Sequence, residues 1–77
     1  MPHPTIDKCD PKIMFGESIK KIRERRDISQ ETLADLMGMH RNTVALLERG
    51  ERNPSLETIR RLAKALGVSP GKFFDKF

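Results

Sequence analysis

Between Ser29 and Gly50 the chain reads SQETLADLMGMHRNTVALLERG, and this stretch constrains the fold more than any other. Leu33, Leu36 and Met37 recur at the three- and four-residue spacing of one helical face, and Val44 and Leu47 resume that spacing after a break. The break is Gly38-Met39-His40, a hinge of three or four residues. Glycine stops a helix because it enters the left-handed conformation without a Cβ penalty. Ser29 suits the N-cap of the first of these two helices, which Gly38 closes. The second starts near His40 or Arg41 and ends at Gly50. One short helix is thereby set on a rigid support.

The flanking sequence supplies that support. Asp10-Pro11 reads as an N-cap followed by proline at the first helical position. Phe15, Ile19 and Ile22 then give a buried stripe in a helix running to about Arg26, and Asp27-Ile28 ends it. Glu51-Arg52-Asn53-Pro54 is a loop, since a residue before proline resists helical torsions. Ser55 opens a fourth helix with Leu56, Ile59, Leu62, Ala63 and Leu66 as its apolar stripe and Gly67 as its stop. Ser69-Pro70 starts a last short helix holding Phe73, Phe74 and Phe77. No segment alternates with period two. The expected fold is all-α, a compact five-helix bundle spanning residues 10–77. Residues 1–9 carry two prolines and no periodicity and are expected to form a mobile N-terminal arm.

With 77 residues there is room for one core. A core of this size supplies only about 3–5 kcal/mol, so oligomerisation would help stabilise it. The 36% hydrophobic and 34% charged composition is that of a folded soluble domain rather than a disordered chain. One cysteine (Cys9) and two distant histidines (His3 and His40) offer no zinc site, no internal disulfide and no catalytic constellation. No metal, cofactor or small-molecule ligand is expected, and no enzymatic role. No apolar run approaches the roughly 18 residues of a membrane span, and no signal-peptide core follows Met1, so a reducing cytoplasm is the expected compartment. The net charge of +4 and pI near 9.6 favour a polyanionic partner. The basic residues cluster at Lys20, Lys21, Arg23, Arg25 and Arg26, at Arg41, Arg49 and Arg52, and at Arg60 and Arg61. Without Trp or Tyr there is no stacking platform for single strands.

The segment 29–50 has the length and punctuation of a helix-turn-helix. If Val44 and Leu47 face inward, then Arg41, Asn42, Ala45, Leu46 and Arg49 point outward, with Thr43 at the leading edge. Arg can bond guanine O6 and N7, Asn can bond adenine N6 and N7, and the Thr methyl or hydroxyl can meet thymine or phosphate. Arg41, Asn42 and Thr43 are therefore candidates for reading base edges in the major groove. Leu46 has two readings, contact with a thymine methyl or packing beside the following loop. Gln30 lies in the first turn of a helix, where free N–H groups and the dipole attract phosphate; its alternative is an ordinary polar residue. Arg49, Arg52 and Asn53 are candidate phosphate contacts, Asn53 also a candidate cap for the fourth helix. Glu48, on the inward side beside Leu47, needs a partner because an unpaired buried carboxylate is costly.

With these residues in place, the chain resembles the Cro/C1-type helix-turn-helix family, the XRE family of bacterial and phage regulators. The markers are Ser29-Gln30-Glu31, Leu33-Ala34, Gly38, Glu48-Arg49-Gly50, Arg52-Asn53-Pro54-Ser55 and Leu62-Ala63-Lys64-Ala65-Leu66-Gly67-Val68. They cover about residues 15–75. The compact size and the segment ERGERNPSLETI look most like restriction-modification controller proteins and short phage repressors. The resemblance implies a lambda-repressor-like bundle of five helices, with the third in the major groove of double-stranded DNA, and a symmetric homodimer. It places Arg41, Asn42, Thr43 and Leu46 at base-reading positions and Gln30 on phosphate. His40 stands where a small hydroxyl residue often caps the third helix; it leaves that helix start loose or reaches phosphate itself. It also pairs Arg23 with Glu48 in a largely buried bridge. The implied function is sequence-specific transcriptional regulation, with two copies reading half-sites about 34 Å apart. Phe74 and Phe77 are the candidate dimer interface. The competing reading is an antitoxin-type module that binds a protein partner as well as DNA.

Overall fold

The computed structural model describes residues 10–75 and 77. The expected arm, with His3 and Cys9, lies outside them. Four α-helices follow in order, α1 (Pro11–Arg25), α2 (Gln30–Met37), α3 (Arg41–Glu48) and α4 (Leu56–Leu66), and a 3-10 helix (Pro70–Phe74) closes the bundle. No strand occurs among the described residues. The fifth helix is thus 3-10 rather than α, a correction to the expected count. A five-residue segment starting Pro-Gly is too short and too poor in helix propensity to sustain an α-helix, and 3-10 geometry serves such short pieces.

Three side chains start the helices. Asp10 Oδ1 accepts from the Lys12 N–H at 2.8 Å, Ser29 Oγ from Thr32 at 3.0 Å, and Ser55 Oγ from Thr58 at 3.1 Å. Ser55, and not Asn53, therefore caps α4. All four helices end on one backbone device, a left-handed residue whose neighbouring N–H groups return to carbonyls of the last turn. Glycine supplies it after α2, α3 and α4. Asp27 supplies it after α1, at φ 59°, with the Ile28 N–H reaching the Arg23 carbonyl at 3.4 Å. Aspartate is among the few residues with a Cβ that tolerate this region.

The core joins Phe15, Ile19 and Ile22 of α1, Leu33, Ala34 and Met37 of α2, Val44 and Leu47 of α3, and Leu62, Ala63 and Leu66 of α4 to Phe73. Two expected core residues are outside it. Leu36 is 59% exposed, because the buried face of α2 centres on Leu33, Ala34 and Met37 and Leu36 lies about 100° round the helix from that centre. Leu56 is 86% exposed. Burial along α4 falls from Leu66 and Leu62 through half-buried Ile59, so the first residue of the helix has run past the last core layer.

Gly16 marks where α1 crosses the end of α3. A Cβ there would collide with the carbonyl oxygen of Leu47 and lie 2.7 Å from that of Glu48. The two helices meet backbone to backbone, which fixes the depth of α3 on the body. One residue before Gly16, Phe15 packs against Phe73 with centroids 5.5 Å apart and against Phe74 at 5.6 Å, and Phe74 meets Phe77 at 5.1 Å. Phe73 is fully buried, whereas Phe74 and Phe77 remain exposed.

Candidate nucleic-acid interface

Helix α3 is buried along Val44, Leu47 and Glu48. Its other side presents Arg41 and Asn42, both exposed, with Thr43, Ala45 and Leu46 half-buried. The face is flanked by His40 at one end and by the loop 49–53 at the other. His40 adopts the extended backbone of an N-cap but makes no side-chain cap bond, so the first-turn N–H groups of α3 lack a side-chain acceptor. Leu46 lies where α3 meets that loop, its carbonyl accepting from the Glu51 N–H at 3.0 Å.

Behind this face is a buried polar cluster. The Glu48 side chain is 3% exposed and that of Arg23 is 11%. Arg23 Nε donates to Glu48 Oε2 at 2.7 Å and Nη2 to Oε1 at 3.1 Å, the bidentate geometry that strengthens such pairs. Arg23 Nη1 donates to the Ile28 carbonyl at 2.9 Å. Hydrogen bonding to Glu48 raises the Arg23 pKa, overcoming the opposing effect of burial. Gln30 Nε2 donates to Glu48 Oε1 at 3.0 Å. One carboxylate thus ties α3 to α1 and to the N-terminus of α2. No buried side-chain nitrogen or oxygen lacks a partner among the described residues. Gln30 therefore sits in this cluster, keeping its second amide hydrogen and its carbonyl oxygen for another partner.

The loop residues differ from one another. Arg49 is held by Glu51, with Nε 3.1 Å from Oε2 and Nη2 3.4 Å from Oε1. Arg41, Arg52 and Asn53 are exposed, and neither arginine has an ion-pair partner among the described residues. On α4, Arg60 and Arg61 both bond Glu57, and these hydrogen bonds lower its carboxyl pKa to about 2. Arg61 also reaches the Met37 carbonyl at 3.3 Å, fastening α4 to the end of α2. This pair of cations is therefore partly neutralised within the protein. Among the described residues, Arg41 and Arg52 leave unpaired positive charge at both ends of α3, and Lys20, Lys21, Arg25 and Arg26 leave more along α1.

Among the described residues, no cluster of three metal-ligating side chains exists and no helix is long and apolar enough to cross a membrane. The two short helices meeting across Gly38, the second clamped from behind and polar in front, define a helix-turn-helix domain. The chain belongs to the helix-turn-helix family HTH_3, of XRE type, whose model matches residues 19–73. It is 40% identical over 65 residues to the control protein C.BamHI of Bacillus amyloliquefaciens, a match covering 83% of this chain and 80% of that protein. The crystal structure of the restriction-modification controller protein C.AhdI from Aeromonas hydrophila superposes with a TM-score of 0.79 at 44% identity, covering 80% of this chain and 94% of the other. The solution structure of the DNA-binding domain of the P22 C2 repressor gives 0.77 at 31% identity, over 80% and 82% of the two chains.

Proposed function

We propose that this protein is a sequence-specific transcriptional regulator that binds double-stranded DNA as a homodimer, each copy laying α3 in the major groove of one half-site. The observation that carries this reading is the division of α3. Its inner side is locked by Val44, Leu47 and the Glu48 cluster, and its first outer turn offers Arg41 and Asn42 to solvent. A groove reader needs this combination, because a base-specific hydrogen bond discriminates only if its donor is held in register. The names of its relatives, a control protein and a repressor's DNA-binding domain, support the same role.

Arg41, Asn42 and Thr43 are assigned to base edges, and Leu46, at the loop junction, to the rim of that contact. Arg52 and Asn53 hold phosphate, as do His40 and the remaining amide hydrogen of Gln30. Arg49 can join them only by leaving Glu51. Phe74 and Phe77 form the apolar surface for the second copy. The task is binding rather than catalysis, carried out in the cytoplasm on the genome that the protein regulates.

Reading and positioning separate by mutation. Arg41→Ala should cost about 1–3 kcal/mol and relax preference at a single base pair, whereas Arg52→Ala should weaken all sequences alike and flatten the salt dependence. Binding isotherms on an operator and its single-base variants measure both. Equal loss on every sequence for the two variants would make Arg41 a phosphate contact only.

A further inference from the structure

We propose, resting on the DNA-binding reading above, that Glu51 limits how strongly the interface grips the DNA backbone by holding Arg49 in an internal ion pair. Arg49 and Glu51 are two residues apart, a separation at which side chains on a regular helix do not face each other. The turn between them brings them together. Gly50 takes φ 74°, its N–H bonds the Leu47 carbonyl at 3.1 Å, and the Glu51 N–H bonds the Leu46 carbonyl at 3.0 Å. Gly50 is pressed on Ile13, where an added Cβ would lie 2.7 Å from Cγ1, so the turn is braced against α1. The guanidinium and carboxylate are thus placed side by side by the backbone, which reduces the ordering entropy that weakens most surface pairs.

Both side chains are more than half exposed, at the end of α3 and next to Arg52. A phosphate approaching Arg49 meets a cation whose charge is already answered, and meets a carboxylate beside it. Arg49 then releases little counterion on binding. Glu51 therefore removes one phosphate contact from the interface, whatever the base sequence, and leaves discrimination to the first turn of α3.

The test is fluorescence anisotropy with a random-sequence duplex from 50 to 200 mM salt, for the wild type, Glu51→Gln, Arg49→Gln and the double variant. Glu51→Gln should bind several-fold tighter at 50 mM, and its plot of log K against log salt should be steeper by about 0.9, the value of one added phosphate contact. Its advantage over the wild type then shrinks about 3.5-fold across that salt range, which is fourfold raised to the power 0.9. In the Arg49→Gln background, Glu51→Gln should change the slope little. An unchanged slope and affinity for Glu51→Gln would overturn the proposal while leaving DNA binding intact. An equal gain without Arg49 would also overturn it, because Glu51 would then act on phosphate directly. A wild type that binds no duplex would overturn the DNA-binding reading itself.

Discussion

Glu48→Ala is expected to destabilise the domain by about 3–5 kcal/mol, because it strands a buried cation. Arg23 would keep only its bond to the Ile28 carbonyl, with Nε and Nη2 left without an acceptor in a site where its side chain is 11% exposed. Gln30 would lose its anchor as well. A domain of this size holds only a few kcal/mol in total, so the loss takes most of the margin. Thermal denaturation followed by circular dichroism should show Tm falling by at least about 12 °C. A double replacement by apolar residues, Arg23→Met with Glu48→Leu, should recover much of the loss, because the damage comes from the orphaned charge rather than from the absent pair. An unchanged Tm for Glu48→Ala would mean that the cluster contributes nothing to the fold. Loss of DNA binding in that variant would follow unfolding, so stability is the quantity to read first.

Gly50→Ala is the second large effect, and Gly67→Ala is its internal control. Both glycines are left-handed, at φ 74° and 70°. An L-residue pays about 1–2 kcal/mol in that conformation. At Gly67 the nearest atoms to an added Cβ are the guanidinium nitrogens of Arg26 at 4.0 Å, ordinary contact with a movable group. At Gly50 the Cβ would lie 2.7 Å from Ile13 Cγ1 and 2.9 Å from its Cα, and the latter belongs to α1 backbone that cannot turn aside. Overpacking of this kind adds about 1–3 kcal/mol. Urea denaturation should therefore place Gly50→Ala about 2–5 kcal/mol below the wild type and clearly below Gly67→Ala. Equal losses at the two sites would mean that the approach of α1 to the end of α3 is easily relaxed.

These two residues also show what could be read in the sequence. Serine caps, an Asp-Pro start and glycines after three of the four apolar stripes act locally, so α1 to α4 and the break at Gly38 were legible residue by residue. The exposure of Arg41 and Asn42 followed once Val44 and Leu47 were set inward. Leu36 and Leu56 misled because periodicity records a hydrophobic side chain without recording where the neighbouring helix ends. Asp27-Ile28 was legible as the end of α1, but not that Asp27 closes it in the left-handed conformation usually taken by glycine. The contact of Gly16 with the backbone of α3 depends on a helix crossing, and spacing within α1 carries no trace of it. The partners of Gln30 and Arg49 were equally hidden. A glutamine in the first turn of a helix suggests an anion, yet its amide is bonded to a carboxylate 18 residues away. Arg49 and Glu51 lie at a spacing that no regular helix pairs, and they meet only because Gly50 bends the chain between them.

Whether α3 of each of two copies reads the major groove can be decided by selecting bound duplexes from a random DNA library with the wild-type protein. The prediction is enrichment of a site with two symmetric half-sites whose centres lie about 34 Å, or 10–10.5 base pairs, apart. Recovery of no preferred sequence, or of a single half-site without its symmetric mate, would contradict it.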